Sequence, residues 1–428
     1  MKSYKRHSLR SILRWIMAVL LIFEINSVFY NSYNINFHIS ELIGVVSLII
    51  VITEFKSGIR LKRELLVFIC VYELLALLYL AISVDGEALI SYSMKFIFFI
   101  PMMTVVYAVN SNLLIDIVKK MSRFTVFLAG MSIISYLASF VLPNLGTFTI
   151  FWGKVRQAEN FLFFFSSQRQ EIAGHYVMRN TGIFCEAPMY AFVLIMALAV
   201  ELFFYKKTKT KSVILLILTI VTTYSVTAVI LMMCLMVAKY YYGNIAFEWQ
   251  GDYEIYKRRK KSATRYLVVL VGVIIASIGV YYLMKFKMNT GLSYSKRIDD
   301  YIAGFAAWRQ NPIWGVGYGK GEIITANMAE WRLKYTQSGY SNSVMYIVAT
   351  MGCYGSVLYI AGIYGGIRYG INRKQYFISM QYCVLLILLF VTVVPMHFYV
   401  LNYVSFGIAA SFYGRKQQLQ EIKDNTKF

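Results

Sequence analysis

A chain of 428 residues in which 58% are hydrophobic and only 15% are charged has too few polar side chains to cover a soluble globule of that size. Its mean hydropathy of +0.57 places it among integral membrane proteins. The formal net charge of +22 would suit nucleic acid, but the basic residues fall in short clusters between apolar runs, the pattern of cytoplasmic loops, so no nucleic-acid partner is expected.

The N-terminus carries Lys2, Lys5, Arg6, Arg10 and Arg14 ahead of an apolar stretch from Trp15, with no small-residue cleavage site after it, and reads as a retained first span. Crossing about 30 Å of hydrocarbon takes roughly 20 residues. Spans are expected near 15–33, 38–54, 65–83, 91–110, 124–142 and 184–205, then 266–284, 342–365, 376–394 and 397–414. The run 212–242 is longer than one span needs and is interrupted by Thr222, Thr223, Tyr224, Ser225 and Thr227, so it is one long helix or two short ones.

Counting positive charge decides between them. With a hairpin at 212–242, 29 of the 43 Lys and Arg residues fall on inner segments and both termini are cytoplasmic. With a single span, the cluster Lys257, Arg258, Arg259, Lys260, Lys261 lands outside, against the rule. The expected architecture is therefore an all-α polytopic membrane protein, one integral domain over 1–428 with about 12 transmembrane helices. Cys70, Cys185, Cys234, Cys353 and Cys383 lie in or beside apolar segments without metal-ligand spacing, and are read as reduced packing residues. Neither a metal nor a cofactor is expected.

This topology leaves two long outer loops, 143–183 and 285–341, and extracytoplasmic chemistry has to be built there. Both hold cations: Lys154, Arg156, Arg169 and Arg179 in the first, and Lys285, Lys287, Lys296, Arg297, Arg309, Lys320, Arg332 and Lys334 in the second. Most are solvated surface charge of small energetic weight. Arg179 stands out because the chain re-enters the membrane just after it, with Glu186 and Pro188 at the start of the next span, where an unpartnered charge costs a few kcal/mol.

In the second loop, Ile298, Ile302 and Phe305 recur at i, i+4 and i+7, with Arg297, Tyr301 and Trp308 on another flank, as expected of a helix laying its apolar stripe on the membrane-facing body. Asn311 and Pro312 stop that helix. Gly315, Gly317, Gly319 and Gly321 follow in GVGYGKG, which is either a plain tight turn or a place where backbone N–H groups approach an anion beside Lys320.

The segment RIDDYIAGFAAWRQNPIWGVGYGKG, with SGYSNSVMYIVATMGCYG opening the next span and RNTGIFCEAPMYA opening an earlier one, resembles the O-antigen polymerase and ligase superfamily, which includes the Wzy-type polymerases of capsule and O-antigen assembly. The resemblance implies a multi-pass protein of the bacterial plasma (inner) membrane. It implies a nucleotide-sugar-independent glycosyltransferase that moves a growing glycan from undecaprenyl pyrophosphate to a sugar hydroxyl of a lipid-linked repeat unit on the outer face. Arginines matching Arg179 and Arg297 are expected to engage the pyrophosphate. Asp299, Asp300, Arg309, Gly315, Gly317, Lys320, Asn342 and His175 are expected around the substrate, although Asp299 and Asp300 read alternatively as holding Arg297 or Arg309 in place and His175 reads first as an interfacial residue; membrane lipid, a chain-length regulator and a flippase are implied as partners. The ligase branch usually has His-Asn where this chain has Ser341 and Asn342, a departure that favours the polymerase branch over a ligase.

The chemistry also follows from the residues. A lipid pyrophosphate is an acidic leaving group, so its departure needs fixed positive charge, which bidentate guanidinium forks supply. The attacking hydroxyl needs one general base, for which Glu186, His175, Asp299 and Asp300 are the outer candidates and Glu186 is favoured. Glu186 is equally readable as an ion-pair partner of Arg179 or Arg297. His397, after Pro395 in a short outer turn, is within reach of such a site but reads first as an interfacial residue. Glu24, Glu41 and Glu73 on early spans read as helix–helix hydrogen-bond partners. A flippase or other transporter of lipid-linked sugars is the rival from another class, yet the chain shows no internal repeat.

Overall fold

A computed structural model describes residues 2–32, 38–55, 61–142, 146–152, 154–162, 165–172, 175–205, 208–242, 293–334, 339–340, 342–392 and 394–413. Three features of the sequence reading lie outside them: the expected span at 266–284, the basic cluster 257–261, and Ser341. The chain forms helices α1 (Lys2–Glu24), α2 (Ile39–Glu54), α3 (Arg63–Ser83), α4 (Gly86–Val109) and α5 (Asn112–Ala138). Four strands come next, β1 (Thr147–Trp152), β2 (Lys154–Leu162), β3 (Phe165–Ile172) and β4 (His175–Gly182). Then follow α6 (Ala187–Phe203), α7 (Thr210–Thr222), α8 (Val226–Tyr242), α9 (Ser293–Gln310), α10 (Gly321–Ala326), α11 (Glu330–Lys334), α12 (Ser343–Asn372), α13 (Tyr376–Leu389) and α14 (Phe398–Ser411).

Four of these helices, α3, α4, α5 and α12, are long and apolar enough to cross a membrane, and α6, α7, α8, α13 and α14 are shorter apolar helices. The mostly helical fold is that of a membrane protein. α3 presents Leu66, Val67, Val71, Leu74, Leu77, Leu78 and Ile82 outward, as lipid contact requires, while α6 and α14 are buried on nearly every side. α12 and α14 approach until a Cβ on Gly365 or Gly407 would meet the opposing backbone, the small-residue packing available where helices gain nothing by leaving an equally apolar solvent.

The all-α expectation fails in the first outer loop. Residues 147–182 form a four-stranded antiparallel meander, β1-β2-β3-β4, with pairs such as Ile150 with Arg156 and Gln168 with Arg179. Loop length alone concealed it, since period-2 alternation in TFTIFW and SSQRQ is short and mixed in polarity. The run 212–242 is a hairpin: α7 ends at Thr222, Tyr224 takes φ +50° in the turn, and α8 returns alongside α6. Thr222 and the Thr223 carbonyl meet β4 just before α6 begins, whereas Lys239 Nζ donates to Leu202 O where α6 ends, so the two helices run in opposite senses.

Two polar ends follow. At one, Arg14 bridges Glu54 (2.7 Å) and Asp116 (2.9 Å), Asn110 donates to Glu54, and Lys120 pairs with Asp116. At the other sit the sheet and the segments around 311–342.

The second outer segment is spliced into a broken helix. Inside α12, Gly352 adopts φ +56° and ψ −146°, which interrupts the helical bonds from the N–H groups of Cys353 and Tyr354. Those donors turn instead to Pro312 O (3.0 Å) and Ile313 O (3.2 Å). The released Ala349 carbonyl accepts from Val316 N (2.8 Å), and the Thr350 carbonyl accepts from Gly317 N (3.0 Å) and from the Tyr79 hydroxyl (2.8 Å). Non-helical backbone at this depth survives because every freed group is paired within protein. At Gly315, φ is +72° and a Cβ would strike the Thr350 carbonyl. Gly315→Ala is therefore expected to destabilise the protein by about 2 kcal/mol or more, read as a lowered thermal midpoint in detergent. Gly86→Ala, whose Cβ would meet nothing within 4 Å, is the control expected to stay within about 0.5 kcal/mol.

Candidate functional site

α9 sits on α12 with the opposite face to the one expected. Ile298, Ile302 and Phe305 are 42%, 60% and 50% exposed, and the buried side is Asp299, Asp300, Ala303, Gly304 and Ala307. Small residues allow the approach, for a Cβ on Gly304 would meet the Tyr340 hydroxyl and Met345. Periodicity found the stripe but not its direction, because in a membrane protein an apolar stripe serves lipid as well as core.

The two aspartates answer to Arg332, a cation the sequence reading passed over as ordinary loop charge. Its guanidinium is fully buried and donates to Asp299 Oδ2 (3.0 Å), Asp300 Oδ1 (2.6 Å), Lys296 O (3.2 Å) and Gly339 O (2.7 Å). Asp299 also accepts from Ala329 N, and the Tyr340 hydroxyl donates to Asp300 O. Asp299 and Asp300 thus build the loop around Arg332.

Arg297 precedes this pair on α9. It is half-buried and makes no hydrogen bond among the described residues; burial lowers its pKa, opposed by Asp300 and Tyr301. Arg309, in the last turn of the same helix, is exposed. Lys320 stands at the N-terminal boundary of the short helix α10, with no side-chain capping bond. The N–H groups of Gly315, Val316 and Gly317 are taken by Asn311 O, Ala349 O and Thr350 O, which is the plain-turn alternative at those three positions. Asn342 is buried and caps α12 by accepting from Met345 N (3.1 Å), and its amide nitrogen has no hydrogen-bond partner among the described residues.

Arg179 lies on β4, 9% exposed, with Nε donating to the Thr223 carbonyl at 2.8 Å. Burial lowers its pKa to about 10 and Glu186 works against that shift, so the guanidinium stays cationic at neutral pH with Glu186 as counter-charge. Glu186 is the residue before α6 and is half-buried. β4 also holds the backbone of His175, whose side chain lies outside what the structure describes. β4 packs on α5, α6 and α7, whereas α9 packs on α10 and α12, so Arg179 and Arg297 are held by separate groups of helices.

Between those groups lies a buried cluster that the sequence did not assemble. Glu24, fully buried at the end of α1, receives Phe398 N–H on Oε2 (2.9 Å), while its Oε1 stands 2.9 Å from His397 Nδ1 and 3.6 Å from Lys95 Nζ. Lys95 lies in the π-helical stretch Ser93–Phe99 of α4. Pro101 lacks the N–H that would reach back five residues to Phe96 O, and the Tyr72 hydroxyl takes that acceptor at 2.6 Å. Tyr318, carried inward by the glycine turn, bonds Ser91 at 3.0 Å and stacks edge-on to Tyr92 and Phe96. Lys95 inside an apolar run was the available signal, since an intramembrane charge needs a partner.

The cluster is tied to both arginine-bearing regions. Cys185 N donates to Asn26 O (2.9 Å) and Val28 N to Ile183 O (2.9 Å), which joins the chain after Glu24 to the segment before Glu186. Ser343, next to Asn342, donates to Thr392 O and accepts from Val394 N (2.8 Å), just before His397. Two of the three sequence patches are thus bonded to segments that adjoin Glu24 and His397 in the chain, and Tyr318 of the third packs on Tyr92 and Phe96 of α4.

A family model described as O-antigen ligase matches residues 211–360, about a third of the chain, from α7 to the middle of α12. The match supports the O-antigen ligase and polymerase superfamily, and with it polysaccharide synthesis by a multi-pass membrane protein. No curated protein matches the chain. Removing Arg332 would strand two buried carboxylates, so Arg332→Met is expected to cost about 3–5 kcal/mol, while Arg309→Ala, at an exposed site, is expected to change stability by under about 0.5 kcal/mol. Thermal unfolding of the two purified variants in detergent checks the contrast.

Proposed function

We propose that the protein is a polysaccharide polymerase of the bacterial plasma membrane, which transfers a growing glycan from undecaprenyl pyrophosphate to a sugar hydroxyl of a lipid-linked repeat unit at the outer face. The reading rests on the family match across 211–360, which takes in Arg297 and Asn342. The observation that carries it is the state of Arg297. A helix with two acids immediately after an arginine would ordinarily neutralise it, yet both acids hydrogen-bond Arg332, leaving the Arg297 guanidinium half-buried and without a hydrogen-bonded partner among the described residues.

Such a cation suits a pyrophosphate leaving group. Charge develops on the bridging oxygen as the anomeric C–O bond breaks, and a guanidinium aimed there in a poorly hydrated site stabilises the transition state more than the ground state. Arg179, partly balanced by Glu186, is assigned the same role from the other side. One displacement of this kind inverts the anomeric carbon. Cleavage of the donor's own glycosyl–pyrophosphate bond supplies the driving force, so no nucleotide sugar is needed.

The test is Arg297→Glu, expected to abolish polymer while the protein stays in the membrane. Arg297→Lys is expected to lower kcat about 10²-fold through loss of the bidentate fork. Both are read as the glycan ladder made by purified protein from a defined lipid-linked repeat. An unchanged ladder from Arg297→Glu defeats the proposal, as would single repeat units stranded on the cytoplasmic face in cells lacking the protein, the outcome a flippase gives.

A further inference from the structure

Resting on that reading, we infer that His397, oriented by Glu24, accepts the proton of the attacking sugar hydroxyl. The inference starts from what the other bases are doing. Asp299 and Asp300 hydrogen-bond the buried Arg332, and Glu186 sits in the field of Arg179. A carboxylate facing a guanidinium is a weak base, because the cation favours its ionised form. The described outer carboxylates expected to serve are therefore committed elsewhere.

The Glu24 cluster has the opposite balance. One carboxylate and one ammonium, Glu24 and Lys95, already cancel each other, so neutralising the buried acid does not require an imidazolium. The carboxylate is also fixed by the Phe398 N–H at the start of α14, where the helix dipole favours an anion. His397 turns Nδ1 to the Glu24 carboxylate at 2.9 Å. In the proposed step the ring proton sits on Nδ1, on the Glu24 side, and the lone pair on Nε2, the arrangement of acid and base in hydrolytic triads. The side chain keeps 11% exposure and is not sealed off.

Around it stand the Tyr30 ring, edge-on at 6.4 Å, Lys95 from α4, and Tyr359, whose hydroxyl donates to Pro395 O. Tyr318 faces Lys95 from the glycine turn. Among the described residues, Glu24 and Lys95 are the charged groups beside His397.

The step balances without a further reactant. The acceptor O–H proton passes to Nε2 as the hydroxyl oxygen forms its bond to the anomeric carbon. The bond from that carbon to the pyrophosphate oxygen breaks, its electron pair leaves with the polyprenyl pyrophosphate, and the imidazolium later returns its proton to water. Glu24 is a positioning residue: it holds the tautomer and stabilises the imidazolium as it forms.

The experiment is the pH dependence of kcat for full-length protein in detergent with the lipid-linked repeat, comparing wild type, His397→Gln, His397→Ala and Glu24→Gln, with Arg297→Glu beside them. Wild-type kcat is expected to rise with pH through one inflection in the histidine range. His397→Gln is expected to lose about 10²–10⁴-fold in kcat together with that inflection, with KM little changed. Added imidazole is expected to restore part of the activity of His397→Ala. Glu24→Gln is expected to move the inflection to lower pH, because the carboxylate that stabilises the imidazolium is gone.

Retention of at least half the wild-type kcat by His397→Gln overturns the inference. So does a loss with an unchanged pH profile and no imidazole rescue, which marks a structural role. Should the His397 variants leave the folded fraction, wild type decides: a profile flat between about pH 5 and 8 overturns the assignment. Abolition by Arg297→Glu combined with an active His397→Gln removes this inference alone, whereas a normal ladder from Arg297→Glu removes the reading beneath it.

Discussion

A carbonyl released from a helix inside an apolar body must find a donor, and the break in α12 at Gly352 releases two. The segment 312–317 supplies two of the missing donors, Tyr79 adds a third, and Pro312 and Ile313 accept from the N–H groups set free beyond the break. Much of the outer architecture follows from this exchange. It fixes the glycine turn against α12, which drives Tyr318 inward beside Lys95 and starts the path of the chain to Arg332. The segment 312–317 is held to α12 by backbone hydrogen bonds, and the chain beyond it is held separately, by Arg332 on Asp299 and Asp300.

Two ionic clusters divide the work. Arg332 with Asp299 and Asp300 is saturated: each nitrogen that donates does so to a carboxylate or carbonyl, and the group is fully buried. Removing one partner from such a set is costly, which is the behaviour of a structural clasp. The Glu24 cluster is looser. Lys95 stands at 3.6 Å, and the His397–Glu24 contact has ion-pair distance without hydrogen-bond geometry. Its members come from α1, α4 and the turn before α14, elements far apart in sequence, and its backbone ties run to both arginine-bearing regions. Saturation and looseness separate a group that holds the fold from one that has capacity left for a proton.

Legibility in the sequence varied with the kind of information each residue carries. The glycine run was visible as a conformational signal, and its need for positive φ at Gly315 and Gly317 is real. Its partner was not visible, because a backbone acceptor such as the Thr350 carbonyl has no identity in a sequence. The stripe Ile298, Ile302, Phe305 was read correctly as helical and wrongly as inward. The buried face is instead the small and acidic one, selected by Gly304 and by Arg332 more than 25 residues away. The meander at 147–182 escaped notice because its strands are short and their alternation weak. The hairpin at 212–242 was legible, since positive charge and a polar interruption pointed the same way.

By itself the sequence determined that the chain is a membrane protein, where many of its apolar helices run, and which segments between them concentrate charge, because hydropathy and charge density are sums over neighbours. It also singled out Arg179 and Glu186 by depth and Arg297 by resemblance. Only the tertiary structure decided which charges meet. It paired Asp299 and Asp300 with Arg332, set Glu186 against Arg179, and brought Glu24, Lys95 and His397 from three distant segments onto one carboxylate. The reason is physical: ion pairing and hydrogen bonding act over about 3 Å, and separations of that scale between residues hundreds of positions apart are set by packing, which local sequence does not record.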